Sequence, residues 1–160
     1  MSMSKTDNTP QTNTNQALIT HQIEFKTDTQ GRGFTDITAP IENWIYNIGA
    51  EGGLLTVFIR HTSASLTIQE NADPAVLYDL EQALHNIAPE DYPYRHSQEG
   101  PDDMPAHIKS VLTATSLSVP ILDGKTALGT WQGIFLIEHR AKPHQRKFVL
   151  QFIGTTNNSI

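Results

Sequence analysis

Apolar segments separated by tight turns occupy the second half of the chain, and this pattern limits the fold more strongly than any other feature. The segments cover residues 117–122, 128–138 and 146–153, and Asp123-Gly124 separates the first two. An Asp-Gly pair between two apolar runs is typical of a two-residue hairpin turn. Because short hairpins join antiparallel neighbours, we predict a sheet that is antiparallel or mixed.

The first half of the chain contributes further strands. Alternating apolar positions predict a half-buried strand over residues 17–27, and a short second strand is expected over residues 34–38. Residues 54–59 are almost uniformly apolar, which indicates a central strand. Residues 65–69 are its expected neighbour in the sheet.

Apolar residues at helical spacing and capping signals predict the helices. Thr38 is interpreted as the cap of a first helix. Asp73 is expected to cap a second helix, with Pro74 at its first position and Pro89 beyond its end. Asp103 is expected to cap a short third helix. Strands that outnumber the helices and follow one another in hairpins indicate an α+β domain.

Composition is typical of a single soluble domain. The chain has 160 residues, and we assign the domain to residues 17–155 because residues 1–16 are almost entirely polar and are predicted to form a disordered tail. No segment resembles a targeting peptide or a membrane span, so a cytoplasmic protein without membrane contact is expected. The absence of cysteine excludes disulfides and thiol catalysis, and the net charge of −6 argues against nucleic acid as a partner.

A chemically varied polar run begins where the central strand ends. Residues 61–73 contain the imidazole of His61, several hydroxyl groups and the carboxylates of Glu70 and Asp73. Such groups are costly to bury unless they are paired or bind something. This run is therefore the first candidate site.

Three histidines fall where loops or element ends are expected, namely His61, His96 and His107. A long polar loop over residues 89–105 adds carboxylates near the last two, including Asp103. Imidazole suits zinc, nickel, copper or iron, and carboxylates could complete or orient the ligand shell. The spacing matches no strict metal motif, so scattered surface histidines are the alternative to a divalent-metal site.

Familiar catalytic and nucleotide-binding motifs are missing. The sequence 124–126 resembles the end of a phosphate-binding loop, but Val119 stands where the first glycine is required. No Gly-x-Gly-x-x-Gly, His-Glu-x-x-His or Gly-x-Ser-x-Gly motif is present. The serines near His61 are not predicted to be nucleophiles, because proximity in sequence alone does not pair them with a base.

Several short motifs occur together in an order that resembles the YjbQ family. They are His-Thr-Ser-Ala-Ser-Leu-Thr at 61–67, Glu-Asn-Ala-Asp-Pro at 70–74, Asp-Asp-Met-Pro-Ala-His-Ile-Lys at 102–109, Ser-Leu-Ser-Val-Pro-Ile-Leu-Asp-Gly at 116–124 and Gly-Thr-Trp-Gln at 129–132. The resemblance covers roughly residues 17–154 and leaves out only the polar tail.

The resemblance implies a β-sandwich-like core of mostly antiparallel strands with two to three helices, assembled as a homotrimer. It also implies a weak, secondary thiamine-phosphate synthase activity and a polar cleft that holds a divalent metal. The histidines that match the cleft are His61, His96 and His107. Candidate catalytic residues are His61, Glu70, Asp73, Asp103 and His107, and candidate binding residues for a cofactor or substrate are Thr62, Lys109, Thr130, Trp131, Gln132 and Arg140.

The implied synthase reaction joins an aminopyrimidine diphosphate to a thiazole phosphate and releases pyrophosphate. Its site must hold two small phosphorylated metabolites in line and stabilise the departing pyrophosphate. Lys109 and Arg140 are the expected contacts to the anionic oxygens, with Arg95 or Arg146 as further cations. Trp131 would offer a stacking face to a heteroaromatic ring, and core packing is the equal alternative for this residue.

Two other functions stay open. Magnesium, the usual metal for pyrophosphate departure, prefers oxygen ligands, whereas imidazoles favour a zinc-like ion, so we interpret the synthase activity as promiscuous. A metal-dependent hydrolase or lyase of a small phosphorylated or carboxylated metabolite, with Glu70 or Asp103 as general base, is one alternative. A non-catalytic protein that binds a small molecule is the other.

Overall fold

Two antiparallel sheets and three helices make up the computed structural model, which describes residues 17–157. The elements in chain order are β1 Ile19–Asp28, β2 Gly33–Asp36, α1 Thr38–Asn47, β3 Ala50–Ile59, β4 Ala64–Glu70, α2 Pro74–Ile87, α3 Asp103–Leu112, β5 Ser116–Leu122, β6 Lys125–Thr126, β7 Gln132–Glu138 and β8 Gln145–Thr156. The predicted α+β class with mostly antiparallel strands is confirmed. The predicted tail at residues 1–16 lies outside the described residues.

The larger sheet contains five strands in the order β1-β8-β3-β5-β6. β3 lies at its centre, as its apolar sequence predicts, and its buried Leu55 pairs with Phe152 of β8 on one side and Val119 of β5 on the other. Asp123-Gly124 forms the predicted two-residue turn, but the second strand of the hairpin is β6, and the strand expected as its partner, β7, belongs to the other sheet. Both turn residues have positive φ angles, 50° and 77°, which a two-residue turn needs to match the twist of its strands.

The smaller sheet contains three strands in the order β2-β7-β4. The prediction that residues 65–69 pair with β3 is wrong, because they belong to β4 and pair with β7. The last six residues of β7, 133–138, are all buried. A strand that is buried on both faces lacks the alternation that marks an orientation, so its sequence does not identify its partners.

The hydrophobic core joins both sheets to α1. One cluster of buried residues includes Leu55 and Leu150 from the larger sheet, Leu66 and Leu136 from the smaller sheet, and Ile41 from α1. Burying a side chain of this size stabilises the fold by about 1.5–3 kcal/mol. This shared core fixes the two sheets against each other, so the ends of β4 and β7 have defined positions.

The helix starts agree with the sequence in one case and differ in another. α2 begins as predicted, because Asp73 is its N-cap, Pro74 is its first residue and Asp73 Oδ1 accepts a hydrogen bond from Ala75 N at 2.9 Å. α1 instead includes Thr38 as its first residue. The hydroxyl of Thr38 does not cap the helix, since it accepts a hydrogen bond from Ile134 N at 2.8 Å and so ties α1 to β7.

Two predicted boundaries shift near the candidate site residues. α3 starts at Asp103, and Asp102 rather than Asp103 stands in the capping position. The strand predicted from residue 128 starts only at Gln132, and the residues before it form a turn in which Gln132 Oε1 accepts a hydrogen bond from Gly129 N at 2.8 Å. Trp131 lies in this turn and is 65% exposed, so the alternative of core packing for Trp131 is wrong.

Candidate functional site

A buried carboxylate and two histidines meet at the start of α3. Asp103 is 2% exposed, and its Oδ2 lies 2.7 Å from Nε2 of His96 and 3.4 Å from Nε2 of His107. Asp103 and His107 are four residues apart on α3 and therefore share a face of the helix, whereas His96 comes from the preceding loop. One ligand atom from each residue lies within 4.8 Å of the other two. We call His96, Asp103 and His107 the His–Asp cluster.

Arg140 holds the carboxylates at the start of α3. Its Nη1 donates to Asp103 Oδ1, its Nε donates to Asp102 Oδ2 at 3.1 Å, and its Nη2 donates to the carbonyl oxygen of Glu99 at 2.8 Å. Burial raises the pKa of Asp102, but the N–H of Ala141 and the guanidinium of Arg140 outweigh it and hold that pKa below its usual value. Arg140 therefore anchors the loop before α3, and it does not present these donors to a substrate as predicted.

A backbone contact fixes the proton position on His107. Its Nδ1 lies 3.0 Å from the carbonyl oxygen of Thr62. Because a carbonyl oxygen only accepts, Nδ1 carries the proton, and the Nε2 near Asp103 keeps a free lone pair when the ring is neutral. An outer hydrogen bond of this kind orients histidines that bind metals. Thr62 thus takes part in the site through its backbone.

His61 lies outside the His–Asp cluster. Its Nε2 accepts a hydrogen bond from the backbone N–H of Lys147 at 2.8 Å, and burial, followed by the charge of Arg146, lowers its pKa. A neutral ring whose Nε2 lone pair is already engaged stabilises the link between the end of β3 and β8. The structure therefore brings together two members of the predicted three-histidine set, with Asp103 as the third member of the group.

The remaining candidates lie at the opposite end of the smaller sheet. In the ladder between β4 and β7, Glu70 pairs with Gln132 and Ala64 pairs with Glu138. The two pairs are six residues apart along β7, from 132 to 138, which corresponds to about 20 Å of extended strand. The residues at the far end are Glu70, Asp73, Thr130, Trp131 and Gln132. One chain therefore does not gather all predicted site residues in one pocket.

A buried ion pair that the sequence did not identify lies beside the His–Asp cluster. Glu138 and Arg146 are 1% and 4% exposed, and Arg146 donates to both carboxylate oxygens, at 2.6 Å and 2.5 Å. Thr29 Oγ1 and the backbone N–H of Arg140 donate to the same carboxylate, at 2.9 Å and 3.0 Å. Burial raises the pKa of Glu138, but these contacts outweigh it and lower the pKa. The sequence feature that could have indicated this pair is Glu138, a single carboxylate at the end of an otherwise apolar strand.

A serine and a histidine also meet in the interior. Ser65 Oγ lies 2.8 Å from His139 Nε2, and Thr113 Oγ1 donates to Ser65 at 2.6 Å. Burial, followed by the nearby charge of Lys109, lowers the pKa of His139 to about 4. Ser65 and His139 are 0% and 2% exposed, so no substrate carbonyl reaches the hydroxyl. This pair has the contacts of a nucleophile and its base, but its position in the interior makes it part of the packing of the protein.

The last two cationic candidates differ from the predicted arrangement. Lys109 is 3% exposed and lines a cavity of about 220 Å³ whose walls contain no member of the His–Asp cluster. Arg95 is exposed on the loop before His96. Of the four cations expected to face a phosphorylated substrate, Arg140 and Arg146 are thus engaged by buried carboxylates, and Lys109 belongs to a separate cavity.

Fold and site together define a class of protein, an α+β domain of two packed antiparallel sheets with a His–Asp cluster at one end of the smaller sheet. A family model described as UPF0047 protein YjbQ-like matches residues 21–155. The chain belongs to this YjbQ family, as its sequence motifs indicate. The predicted domain is therefore a YjbQ-like domain.

Relatives in other organisms have similar lengths and sequences. The UPF0047 protein sll1880 of Synechocystis is 52% identical over 135 residues, which cover 84% of this chain and 92% of the relative. The UPF0047 protein YjbQ of Escherichia coli O157:H7 is 40% identical, with coverage of 84% and 98%. No activity is part of either description, so family membership does not by itself define the reaction.

Crystal structures support the same fold. An uncharacterized conserved protein of the YjbQ/UPF0047 family from Clostridium acetobutylicum is 36% identical and superposes with a TM-score of 0.76, covering 81% of this chain and 98% of that one. A protein of unknown function from Sulfolobus solfataricus P2 reaches a TM-score of 0.80 at 19% identity, with coverage of 86% and 99%. Among residues 17–157, no helix has the length and apolar character that crossing a membrane requires.

Proposed function

We propose that the His–Asp cluster binds a divalent transition metal and that the protein is a metal-dependent hydrolase or lyase of a small phosphorylated or carboxylated metabolite. The observation that carries this proposal is the convergence of two imidazoles on one buried carboxylate oxygen. Two histidines and one carboxylate are a ligand set that leaves coordination positions open for water or substrate. Nitrogen ligands favour zinc, nickel or iron over magnesium.

One separation in the His–Asp cluster matches such an ion, and a second requires a small movement of His96. Ligand atoms around a tetrahedral zinc are about 3.3–3.6 Å apart, given bonds of about 2.0–2.2 Å. The separation of 3.4 Å between His107 Nε2 and Asp103 Oδ2 lies in this range. The 2.7 Å contact from His96 is shorter, so this ring must move outward by roughly 0.7 Å. Its side chain is 47% exposed and comes from a loop, which allows the movement.

Each residue around the cluster has a defined part in the proposed chemistry. A bound metal would supply Lewis acidity and activation of water at neutral pH. Asp103 Oδ2 and the two Nε2 atoms would hold the ion, while Arg140 keeps Asp103 Oδ1 engaged and so fixes the carboxylate plane. His107 is oriented by Thr62, and the exposed side of His96 leaves an approach for substrate. Within one chain Glu70 lies at the other end of the smaller sheet, about 20 Å of extended strand from the pair Ala64 and Glu138, so it is too far from the cluster to act as its general base there.

Metal analysis of protein purified without chelator or nickel affinity resin tests the proposal. We expect about one zinc, nickel or iron ion per chain, strongly reduced occupancy in His107→Ala, and wild-type occupancy in His85→Ala. His85 is a suitable control because it is exposed on α2 and is not in the cluster. Wild-type protein that stays metal-free after incubation with zinc and nickel salts, or equal occupancy in His107→Ala, contradicts the proposal.

The thiamine-phosphate synthase activity implied by the family resemblance is the second candidate, and the exposed ring of Trp131 favours it. This ring is available for stacking on a heteroaromatic substrate, but in one chain it lies at the other end of the smaller sheet from the cluster. Joint use of both ends therefore requires a second copy of the chain. Product formation from both phosphorylated precursors with magnesium, reduced in Trp131→Ala, is the expected result. Wild-type product no greater than that of a Trp131→Ala, His107→Ala double variant would exclude it.

The predicted homotrimer is part of this second candidate. Leu54, Phe58 and Ile153 are 44%, 47% and 52% exposed on the outer face of the larger sheet, and Leu54 pairs directly with Ile153. Exposed apolar side chains on one sheet face favour contact with another chain, although Thr56 and its partner Gln151 separate Phe58 from the pair Leu54 and Ile153. A sedimentation mass near that of one 17.8 kDa chain would contradict the trimer.

A further inference from the structure

A buried ammonium group without a partner lies at the cavity between α2, α3 and the end of β7. Lys109 is 3% exposed, and its Nζ makes no hydrogen bond or ion pair with another residue of the described range 17–157. Removing a charge from water is strongly unfavourable unless another group compensates it. The carboxylates of the chain attract this cation only from beyond ion-pair distance, which leaves a position in direct contact with it for an anion from outside the chain.

A second unsatisfied donor belongs to a residue that lines the same cavity. The Nε of Arg32 is buried and has no hydrogen-bond partner among the described residues. Its Nη2 forms an ion pair with Glu90, which fixes the guanidinium plane and leaves Nε as the available donor. Buried donors are normally paired, so this unpaired donor, next to a lysine that has no hydrogen bond or ion pair, points to an acceptor in the cavity.

None of the other charged or titratable groups around the cavity forms an ion pair with Lys109, and the charges of Glu90, Glu81 and Asp102 attract it only from a greater distance. Glu138 is bound on both oxygens by Arg146, and burial keeps His139 neutral at physiological pH. Glu81 of α2 is half-buried and lies too far from Lys109 to form an ion pair. Because Glu81 is partly solvated, its charge is screened more than that of the buried ammonium.

The dimensions limit the ligand to a small anion or to the anionic end of a larger molecule. The cavity of about 220 Å³ corresponds to roughly seven water molecules. We propose that it is a binding site for an oxyanion, the phosphate or carboxylate group of a metabolite, with Lys109 Nζ and Arg32 Nε as donors. The site is separate from the His–Asp cluster and needs no metal, because no cluster residue lines it.

Titration of the chelator-treated protein with inorganic phosphate or acetate, against chloride at equal ionic strength, tests this site. The readouts are the thermal midpoint and calorimetry. We expect saturable stabilisation of the wild type by phosphate or acetate beyond that by chloride, and the stronger of the two identifies the ligand class. Lys109→Met should weaken binding at least about tenfold, because a charge-assisted hydrogen bond is lost. Lys142→Met, which removes an exposed lysine outside the cavity, should bind like the wild type.

Two further results separate ligand binding from a structural role of Lys109. Without ligand, Lys109→Met should unfold at the same or a higher temperature than the wild type, because it no longer buries an uncompensated charge. Glu81→Gln, which keeps Lys109 in place, should bind the anion equally well or a few-fold more tightly. Weaker anion binding in Glu81→Gln would overturn the proposal independently of any result with Lys109→Met.

Several outcomes overturn the proposal. They are equal stabilisation by phosphate, acetate and chloride, unchanged binding in Lys109→Met, a clearly lower unfolding temperature of ligand-free Lys109→Met, or weaker binding in Glu81→Gln. The last two would mean that the lysine stabilises the fold or is paired with Glu81. His107→Ala should bind the anion normally, and Lys109→Met should bind zinc normally, so failure of this site and failure of the metal proposal are distinguishable.

Discussion

Replacing Arg146 by methionine isolates the most deeply buried charge pair of the described chain. Methionine keeps much of the apolar volume but leaves Glu138, which is 1% exposed, with Thr29 Oγ1 and the backbone N–H of Arg140 as hydrogen-bond donors and with His144 Nδ1 at 3.6 Å. Removal of one partner of a buried ion pair costs about 3–5 kcal/mol. For a domain of this length that loss lowers the thermal midpoint by roughly 6–20 °C.

The penalty should depend on pH in a defined direction. In the wild type the pKa of Glu138 is lowered, so its ionised form stabilises the fold at neutral pH, and this contribution is lost as the pH falls through the lowered pKa. In Arg146→Met the burial that raises the pKa is no longer outweighed, so the folded variant prefers a protonated Glu138. The difference in unfolding free energy between wild type and variant should therefore decrease from pH 7 to pH 5.

Urea unfolding at both pH values, at one fixed protein concentration, measures the difference. Arg60→Met is the control, because it breaks an exposed pair with Glu24 and should change stability little. Glu138→Leu combined with Arg146→Met should recover most of the loss, since the uncompensated charge is gone. A loss below about 1 kcal/mol, an equal loss at both pH values, or a double variant less stable than Arg146→Met would refute the reasoning.

Three further predictions concern packing, assembly and the metal ligands. Gly154→Ala should lower the unfolding free energy by about 1–3 kcal/mol, because its Cβ would lie 2.2 Å from the backbone oxygen of Gly52. Urea unfolding should show a smaller effect for Gly52→Ala, because the nearest atom to its Cβ would be 3.8 Å away. Phe58→Glu should reduce the sedimentation mass while the circular-dichroism spectrum stays that of the folded protein. An unchanged mass would show that the outer face of the larger sheet is not a contact between chains. Asp103→Asn should weaken zinc binding at least about tenfold in a competition titration, and unchanged affinity would exclude Asp103 as a ligand.

Local signals in the sequence were sufficient for much of the fold. Asp73-Pro74 starts α2 because the cap hydrogen bond and the proline φ angle are properties of adjacent residues. Asp123-Gly124 forms its hairpin for the same reason. The pairing of β4 with β7 could not be predicted from adjacent residues, because the choice of a partner strand depends on packing between distant segments. β7 is buried along nearly its whole length, so its sequence shows no alternation of apolar and polar residues that would indicate its orientation.

The site was predictable only where its geometry is local. Asp103 and His107 are spaced by one helical turn, and the polar loop before α3 supplies His96, so this part of the site follows from the sequence. The expected participation of His61 depended on how β3 ends relative to β8, and there the backbone of Lys147 takes its Nε2 lone pair. The cavity beside Lys109 combines three separate elements, and no spacing between Arg32, Glu81 and Lys109 marks them as neighbours.

The geometry of α3 explains why two independent chemistries can share one short helix. Successive residues of an α-helix are rotated by about 100°, so His107 and Lys109 point in directions about 160° apart, on opposite sides of the helix. His107 lies beside Asp103 and the carbonyl of Thr62, whereas Lys109 lies in the cavity with Arg32. A substitution on one face therefore leaves the contacts of the other face intact. Metal occupancy and anion binding should respond to separate variants, and a single variant that abolished both without unfolding α3 would show that the two faces act as one site.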